Sequence, residues 1–347
     1  MDDLKKCYFF IFALFLTICS CKKQADCSLF GGYEDLNDRM RYLLEVLQDS
    51  KNEEITFAIR KEIAKELIIS GQNKRLIVFL TSIVESSSNR YTNYFLLMLA
   101  NEYMEKKMPE ISSYYFERIV ASDEDLLVKD KSIKLLALNT LIKNTEEPEK
   151  LIHYYSLLIR DFEKDINMPY SLFMLARSYE RMGEWNMAIQ TYSKFLNLKE
   201  FDIVIPGIPD SYGYAKKIVD YSSSSKDWTS ESLEELVGIL TYAIRTHNYG
   251  LLEKYRSKVN FFAMSWKQET SETKADYTIY NLMYAGNIQI AKNVDSSSTP
   301  YEAYLRTTGW THYSKTWYFY LRKINFPADP SIHGRWEWAG IYYGEKL

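Results

Sequence analysis

Residues 172–195 read LFMLARSYERMGEWNMAIQTYSKF, and this stretch carries the pattern that decides the fold of the N-terminal half. Apolar residues recur at helical spacing on both sides of Gly183. Glycine readily adopts the left-handed conformation that ends a helix. The stretch therefore predicts two amphipathic helices joined by a tight turn.

The same pattern recurs upstream at a regular interval. Ala176 has counterparts in three earlier helices, separated by steps of 36, 38 and 38 residues: Ala64, Ala100 and Leu138. A second set of positions, one in each following helix, keeps the same steps: Leu80, Phe116, Tyr154 and Tyr192. Repeats of this length indicate a helical solenoid over residues 34–199. Leucines between residues 36 and 47 predict one more helix that caps the array.

The fourth unit resembles the tetratricopeptide repeat (TPR). The residues that carry the resemblance are Leu175, Ala176, Tyr179, Gly183, Trp185, Ala188 and Tyr192. The other units depart from the family pattern, with Lys107, Leu138 and Lys150 at positions where the family has small residues. The resemblance implies stacked helix pairs whose first helices line a groove that holds peptide segments. It thus implies recognition of a protein and no catalysis.

The resemblance also implies which residues line this groove. They are Lys65, Tyr94, Asn101, Asn139, Tyr170 and Arg177. Asn101 and Asn139 are 38 positions apart and so occupy equivalent places in successive units. An asparagine amide can both donate to and accept from an extended peptide backbone. The alternative is that both are ordinary solvated residues of a helix surface.

The N-terminus has the features of an export signal. Residues 7–19, CYFFIFALFLTIC, follow Lys5 and Lys6 and contain no charge. Thirteen residues are too few to span a bilayer but suit a signal peptide. Residues 18–21, ICSC, resemble the lipobox of bacterial lipoproteins. By that resemblance residues 1–20 are removed, Cys21 carries a diacylglycerol with acyl chains such as palmitate, and residues 21–33 form a tether. An ordinary secretory signal is the alternative.

Beyond the repeats we predict a linker over residues 200–230 and an α+β domain over residues 231–347. Residues 261–268, 286–292, 316–326 and 334–343 are rich in aromatic and β-branched residues and predict an antiparallel, aromatic-rich sheet. Two sets of side chains each share a strand face in this prediction: Trp317, Phe319 and Leu321, and Trp336, Trp338 and Tyr342. These aromatic residues either pack the core or stack on sugar rings.

The sequence lacks the usual signatures of catalysis. Its 43 basic and 46 acidic residues give a net charge of -3, which argues against binding to nucleic acid. The four histidines show no metal-ligand spacing, and no cofactor or nucleophile motif is present. The predicted protein is therefore no enzyme and holds no cofactor or metal. Residues 329–334, DPSIHG, form the most motif-like loop, which either contacts a ligand or rigidly connects two strands.

The sequence thus predicts an N-terminal TPR-like α-solenoid followed by a smaller α+β domain, held to a membrane of the bacterial cell envelope by a lipid anchor. The protein is expected to face the periplasm or the cell surface. The expected role is a scaffold or adaptor that binds an unknown envelope protein or peptide. The alternative is an envelope ligand-binding protein whose C-terminal domain binds a small molecule or glycan.

The lipobox prediction can be tested by replacing the modified residue. Cys21→Ser removes the thiol that would carry the lipid, so we expect loss of lipid labelling and release into the soluble fraction. Cys27→Ser is the matched control and should leave both unchanged. Metabolic labelling with a fatty acid, followed by detergent partitioning, measures both properties. A Cys21→Ser protein that still carries lipid would show that the lipobox assignment is wrong.

Overall fold

A computed structural model describes residues 36–198, 205–266, 287–310 and 315–346. The predicted signal peptide and tether lie outside these residues. The chain divides into two compact units between Glu146 and Glu147. This division falls inside the third predicted repeat and differs from the predicted boundary between residues 34–199 and 231–347. None of the helices in the described ranges is long and apolar enough to cross a membrane.

The first unit is built from helices and one short hairpin. Its elements are α1 (Asp38–Asp49), α2 (Glu53–Ile69), α3 (Asn73–Ser86), α4 (Thr92–Glu105), α5 (Pro109–Ala121), β1 (Leu127–Val128), β2 (Lys131–Ser132) and α6 (Ile133–Asn144). The side chains of Asn37 and Asn52 accept backbone hydrogen bonds at the starts of α1 and α2. Pro109 occupies the first turn of α5, where its missing N–H costs nothing.

The repeat positions lie where the helices of the first unit pack together. Ala64, Ala100 and Leu138 on the first helices are buried, as are Leu80 and Phe116 on the second helices. A small or apolar residue at these places lets neighbouring helices approach closely. The predicted helical repeat is thus confirmed in α2–α6.

Two turns of the first unit use residues other than glycine. Lys107 stands where the family has glycine and still adopts a positive φ of 58°. The sequence did not predict the β1–β2 hairpin, in which Lys129 and Asp130 have φ values of 51° and 61°. Two successive residues with positive φ are typical of a type I′ hairpin turn.

The second unit combines six helices with a five-stranded sheet. The helices are α7 (Pro148–Asp161), α8 (Met168–Met182), α9 (Trp185–Leu196), α10 (Ser211–Ser223), α11 (Leu233–Arg245) and α12 (Tyr249–Lys254). The strands are β3 (Phe262–Ser265), β4 (Gln289–Ile290), β5 (Glu302–Thr308), β6 (Thr316–Lys323) and β7 (Trp336–Tyr343), in the order β3-β7-β6-β5-β4.

The prediction of an antiparallel sheet is wrong at one edge. β3 pairs with β7 in parallel, whereas the other three pairings are antiparallel. The last four strands, β4 to β7, follow one another along the sheet, but β3 pairs with the far side of β7 and comes from an earlier part of the chain. A parallel pair needs such a long connection, which strand patterns alone do not reveal. The sequence also missed β5 as a strand.

Two hydrophobic cores organise the second unit. In the first, α11 and α12 cover one face of the sheet, where Trp317, Phe319 and Trp338 are buried. In the second, the α8–α9 pair packs with α10, with Trp228 and with the segment after β6, including Phe326. The fourth predicted repeat therefore shares its core with the C-terminal part of the chain.

A β-bulge corrects the predicted strand faces. Tyr320 pairs with Gly340, but Leu321 pairs with Trp338, so Ala339 is an extra residue in β7. An extra residue shifts the alternation of side chains by one position. Trp338 consequently lies on the helix-covered face, whereas Tyr342 lies on the opposite face and contacts the ring of Tyr320.

A buried carboxylate connects four segments of the second unit. Glu337 on β7 is fully buried. Its Oε1 accepts hydrogen bonds from the Tyr221 hydroxyl on α10 and from Arg322 Nε on β6, both at 2.6 Å. Its Oε2 accepts from the Ser257 hydroxyl, also at 2.6 Å. These three donors replace the water that the carboxylate loses on burial.

Removing this charge should destabilise the second unit strongly. Glu337→Gln removes the counter-ion of Arg322, whose side chain is only 20% exposed. Breaking a buried ion pair by removing one partner typically costs about 3–5 kcal/mol. The matched control is Glu345→Gln, because Glu345 pairs with Arg306 at 2.6 Å but its side chain is 59% exposed. An exposed pair contributes at most about 1 kcal/mol. Chemical denaturation should separate the two variants, and equal losses would contradict the structural role of Glu337.

Candidate functional site

The first helices of the first unit lie side by side. The ring of Phe57 on α2 is 5.3 Å from that of Tyr94 and 5.7 Å from that of Phe95, both on α4, between ring centroids. On its other side α4 packs against α6. We call the exposed side of α2, α4 and α6, with Lys65, Asn101 and Asn139, the first-helix face.

Three predicted groove residues are available on this face. Lys65, Asn101 and Asn139 are all exposed. Lys65 Nζ lies 3.7 Å from the Glu62 carboxylate. The amides of Asn101 and Asn139 make no hydrogen bond with any part of the chain that the structure describes. Both amides are therefore free to bond a partner.

Tyr94 differs from these three residues because its ring takes part in packing. It is half-buried and meets the rings of Phe57 and Phe95 edge-on. Edge-to-face ring pairs of this kind stabilise by about 0.5–1.5 kcal/mol. Tyr94 thus supports the contact between α2 and α4, with part of its surface left for a ligand.

The remaining two predicted groove residues, Tyr170 and Arg177, belong to the second unit. The Arg177 guanidinium carbon lies 5.3 Å from the ring centroid of Tyr214 on α10. Tyr170 is half-buried against the core of the α8–α9 pair. Burial raises the pKa of the Tyr155 hydroxyl, and a hydrogen bond with Tyr170 adds to the rise. Both residues are therefore already engaged within their own unit.

The sequence analysis missed Glu180, which organises this region. Its carboxylate accepts a hydrogen bond of 2.8 Å from the Tyr192 hydroxyl and another from the Tyr214 hydroxyl. Burial raises the pKa of both tyrosines, and the neighbouring carboxylate raises it further. The sequence around Glu180, four residues after Ala176, gives no indication of this role, because its partners Tyr192 and Tyr214 lie on the later helices α9 and α10.

The face of the sheet opposite α11 carries a second group of rings. We call it the aromatic face and define it by Trp266, Tyr304, Tyr320 and Tyr342. Trp266 stacks on Tyr342 at 4.2 Å between centroids, and the Tyr320 hydroxyl donates to Glu302 at 2.8 Å. Burial and the Glu302 carboxylate raise the pKa of Tyr304 to about 12. Trp266, Tyr304 and Tyr342 are half-buried.

The loop at residues 329–334 has the contacts of a rigid connection between β6 and β7. His333 Nδ1 accepts a hydrogen bond of 3.1 Å from the backbone N–H of Phe326. Asp329 pairs with Lys226 and accepts from the Ser331 hydroxyl at 2.6 Å. Of the other histidines, His312 lies outside the described residues. Within the described ranges no three or more His, Cys, Asp or Glu residues form a group that could hold a metal ion.

Comparison with known proteins finds likeness only among solved structures. No family model and no curated protein matches the sequence. The crystal structure of a MamA protein matches 57% of this chain and 91% of its own, with 18% identity and a TM-score of 0.28. A putative kinesin light chain of Podosopora anserina with nearly identical TPR-like repeats matches 56% of this chain and 91% of its own, with 15% identity and a TM-score of 0.28. Likeness at these low identities and TM-scores supports no conclusion about fold or function. The helical repeat therefore rests on the packing described above.

The loop at residues 329–334 yields a prediction about pH. The hydrogen bonds from Lys226 and Ser331 lower the pKa of Asp329 to about 2. The ionised carboxylate therefore contributes stability above its ordinary pKa of about 3.9, and the contribution disappears as the pH falls through about 2. Lys226→Met should raise the pKa of Asp329 toward its ordinary value, as measured by NMR titration of the carboxyl carbon.

The control for this experiment is Lys323→Met, since Lys323 is exposed and forms no ion pair with Asp329. It should leave the pKa of Asp329 low. The account of the loop fails if both lysine variants shift the titration equally, or if neither does.

Proposed function

We propose that this protein is a lipid-anchored scaffold or adaptor of the bacterial envelope that binds a protein partner through the first-helix face. The observation that carries the proposal is the pair of exposed, unbonded amides of Asn101 and Asn139. They occupy equivalent places on the adjacent helices α4 and α6.

The surroundings of the two amides suit an extended peptide. An amide can donate to one backbone group of a peptide and accept from another, so two such amides hold a strand at two points. Leu97 and Leu135 lie one helical turn before the two asparagines and are half-buried. At the end of α2, Ile68 and Ile69 are 48% and 70% exposed. This apolar surface provides contacts for side chains of the peptide.

The anchoring part of the proposal rests on the sequence. The uncharged residues 7–19 and the ICSC motif at residues 18–21 resemble a lipoprotein signal. A diacylated cysteine supplies two chains, and two chains suffice for stable attachment to a bilayer. The scaffold would then face partners at the surface of an envelope membrane.

A second candidate function is supported by the aromatic face. Trp266, Tyr304 and Tyr342 offer partly exposed ring surface, and the Lys346 ammonium lies 3.8 Å from the centroid of Tyr304. Rings beside a carboxylate such as Glu302 can stack on a sugar and bond its hydroxyls. On this alternative the protein is an envelope ligand-binding protein whose second unit binds a small molecule or glycan.

Substitution of the two asparagines tests the leading proposal. Asn101→Ala with Asn139→Ala removes hydrogen bonds that each contribute about 0.5–1.5 kcal/mol, so partner capture should weaken by up to roughly a hundredfold. The melting temperature should barely change, because exposed substitutions stay within about 0.5 kcal/mol. Affinity capture from envelope extract, with quantitative mass spectrometry, measures the loss for each captured protein.

The matched control replaces Lys74 and Glu110 by alanine, since both are exposed on the second helices α3 and α5. Capture should survive this change. If capture also survives the asparagine substitutions but disappears in Trp266→Ala with Tyr304→Ala, recognition belongs to the aromatic face and the leading proposal is wrong.

A further inference from the structure

The aromatic face of the second unit holds a lysine ammonium between two of its rings. Lys346 Nζ lies 3.8 Å from the ring centroid of Tyr304 and 5.1 Å from that of Trp266. The two ring centroids are 5.5 Å apart and their planes are inclined by 51°, so the rings form two walls of a corner. We call the space between Trp266 and Tyr304 the ammonium corner. A cation over the face of an aromatic ring is attracted by the electron density of the ring.

Neighbouring groups fix the two walls of this corner. Trp266 stacks on Tyr342 at 4.2 Å and meets the ring of Tyr318 edge-on at 5.4 Å, both between centroids. Its indole Nε1 donates to the Gly344 carbonyl at 3.1 Å. Tyr304 lies within the strand β5, which the sheet holds in place on both sides. The rings are therefore positioned before a ligand binds, and this lowers the entropy cost of binding.

Two carboxylates near the corner favour a positive charge. Glu302 accepts a hydrogen bond from the Tyr304 hydroxyl at 3.4 Å, and Asp295 accepts one from the Ser297 hydroxyl at 2.7 Å. The hydrogen bonds from Ser297 lower the pKa of Asp295, and the ammonium of Lys346 lowers it further. Neither carboxylate forms an ion pair within the described ranges. The corner thus combines two ring faces with negative charge, and this combination selects cations.

The chemistry of Lys346 matches this corner only in part. Its ammonium has three N–H donors, but within the described part of the chain it donates to one group, the Ser297 hydroxyl. Ring faces are weak hydrogen-bond acceptors. A lysine ammonium is also strongly hydrated, so its contact with rings is opposed by the water that it loses. A trimethylammonium group has no N–H to satisfy and presents methyl groups to the rings, so it suits two ring faces better.

The Lys346 side chain can leave the corner while the backbone beside it stays in place. The backbone N–H of Gly344 donates to the Thr316 carbonyl at 2.9 Å, and Glu345 pairs with Arg306 at 2.6 Å. These contacts hold the segment that carries Lys346. Opening the corner therefore needs only a rotamer change of one half-buried lysine, and such changes are fast at a protein surface. Lys346 is thus a built-in competitor that a better-matched cation can displace.

We propose that the ammonium corner binds a trimethylammonium group and that the Lys346 ammonium occupies the corner until such a ligand displaces it. The inference rests on the second candidate function and deepens it, because it names a ligand class for the aromatic face. It does not depend on Asn101 and Asn139. The trimethylammonium group occurs in soluble molecules such as choline and in lipid head groups, and the two sources are separated by experiment.

Titration of the full chain with choline tests the proposal. The chain is produced with isotope-labelled tryptophan, and NMR follows the indole N–H signal of Trp266, which is assigned by its loss in Trp266→Phe. We expect a saturable shift of this signal. The control ligand is the neutral isostere of choline in which carbon replaces nitrogen. It has the same shape without the charge, so it should bind about tenfold more weakly or less. This comparison needs no protein variant.

Two substitutions test the roles of Lys346 and Tyr304. Lys346→Met removes the competitor, so the apparent affinity for choline should rise about fivefold or more, because only the open fraction of a site binds ligand. Lys323→Met is the matched control, since it removes the same charge from an exposed lysine of the same sheet, and it should leave the affinity unchanged. Tyr304→Leu removes one wall and should abolish the shift, whereas Tyr301→Leu, at a side chain that is 69% exposed, should not.

Vesicles identify the source of the group. The Cys21→Ser chain, which lacks the predicted lipid anchor, is sedimented with vesicles of phosphatidylcholine or of phosphatidylglycerol. Sedimentation with phosphatidylcholine alone assigns a lipid head group as the ligand. Binding of choline without sedimentation assigns a soluble molecule.

Three results would overturn the proposal. The first is equal binding of choline and its neutral isostere, and the second is no saturable shift in either the unaltered chain or Lys346→Met. The third is an equal gain of affinity in Lys346→Met and Lys323→Met. If N-acetylglucosamine shifts the Trp266 signal and choline does not, the aromatic face binds sugars. The second candidate function then stands, and the assignment of a trimethylammonium ligand is wrong.

Discussion

The second unit depends on the burial of one carboxylate, that of Glu337. A charge withdrawn from water must be matched by donors, and three segments supply them: α10 through Tyr221, β6 through Arg322 and the connection before β3 through Ser257. Tyr221 and Ser257 are 116 and 80 positions away from Glu337 in sequence. The carboxylate is therefore satisfied only when α10 and the sheet are assembled together. This explains physically why the fourth repeat, which packs on α10, shares its core with the C-terminal strands.

The first unit is organised by contacts between residues that are close in sequence, whereas the second unit depends on contacts between distant segments. This difference decides how much of each unit could be predicted from the sequence. Each helix packs mainly on its neighbours along the chain, so a period of 36–38 residues with small or apolar residues such as Ala64 and Ala100 is visible in the sequence. The parallel pairing of β3 with β7 and the bulge at Ala339 arise from contacts between distant segments. No local pattern encodes them, and the expected antiparallel sheet was wrong there.

The same distinction between local and long-range contacts applies to the candidate site. The exposure of Asn101 and Asn139 is a consequence of their place one residue after the buried repeat position, so helical geometry alone predicts it. The involvement of Arg177 with Tyr214 could not be predicted, because α10 lies beyond the repeat pattern.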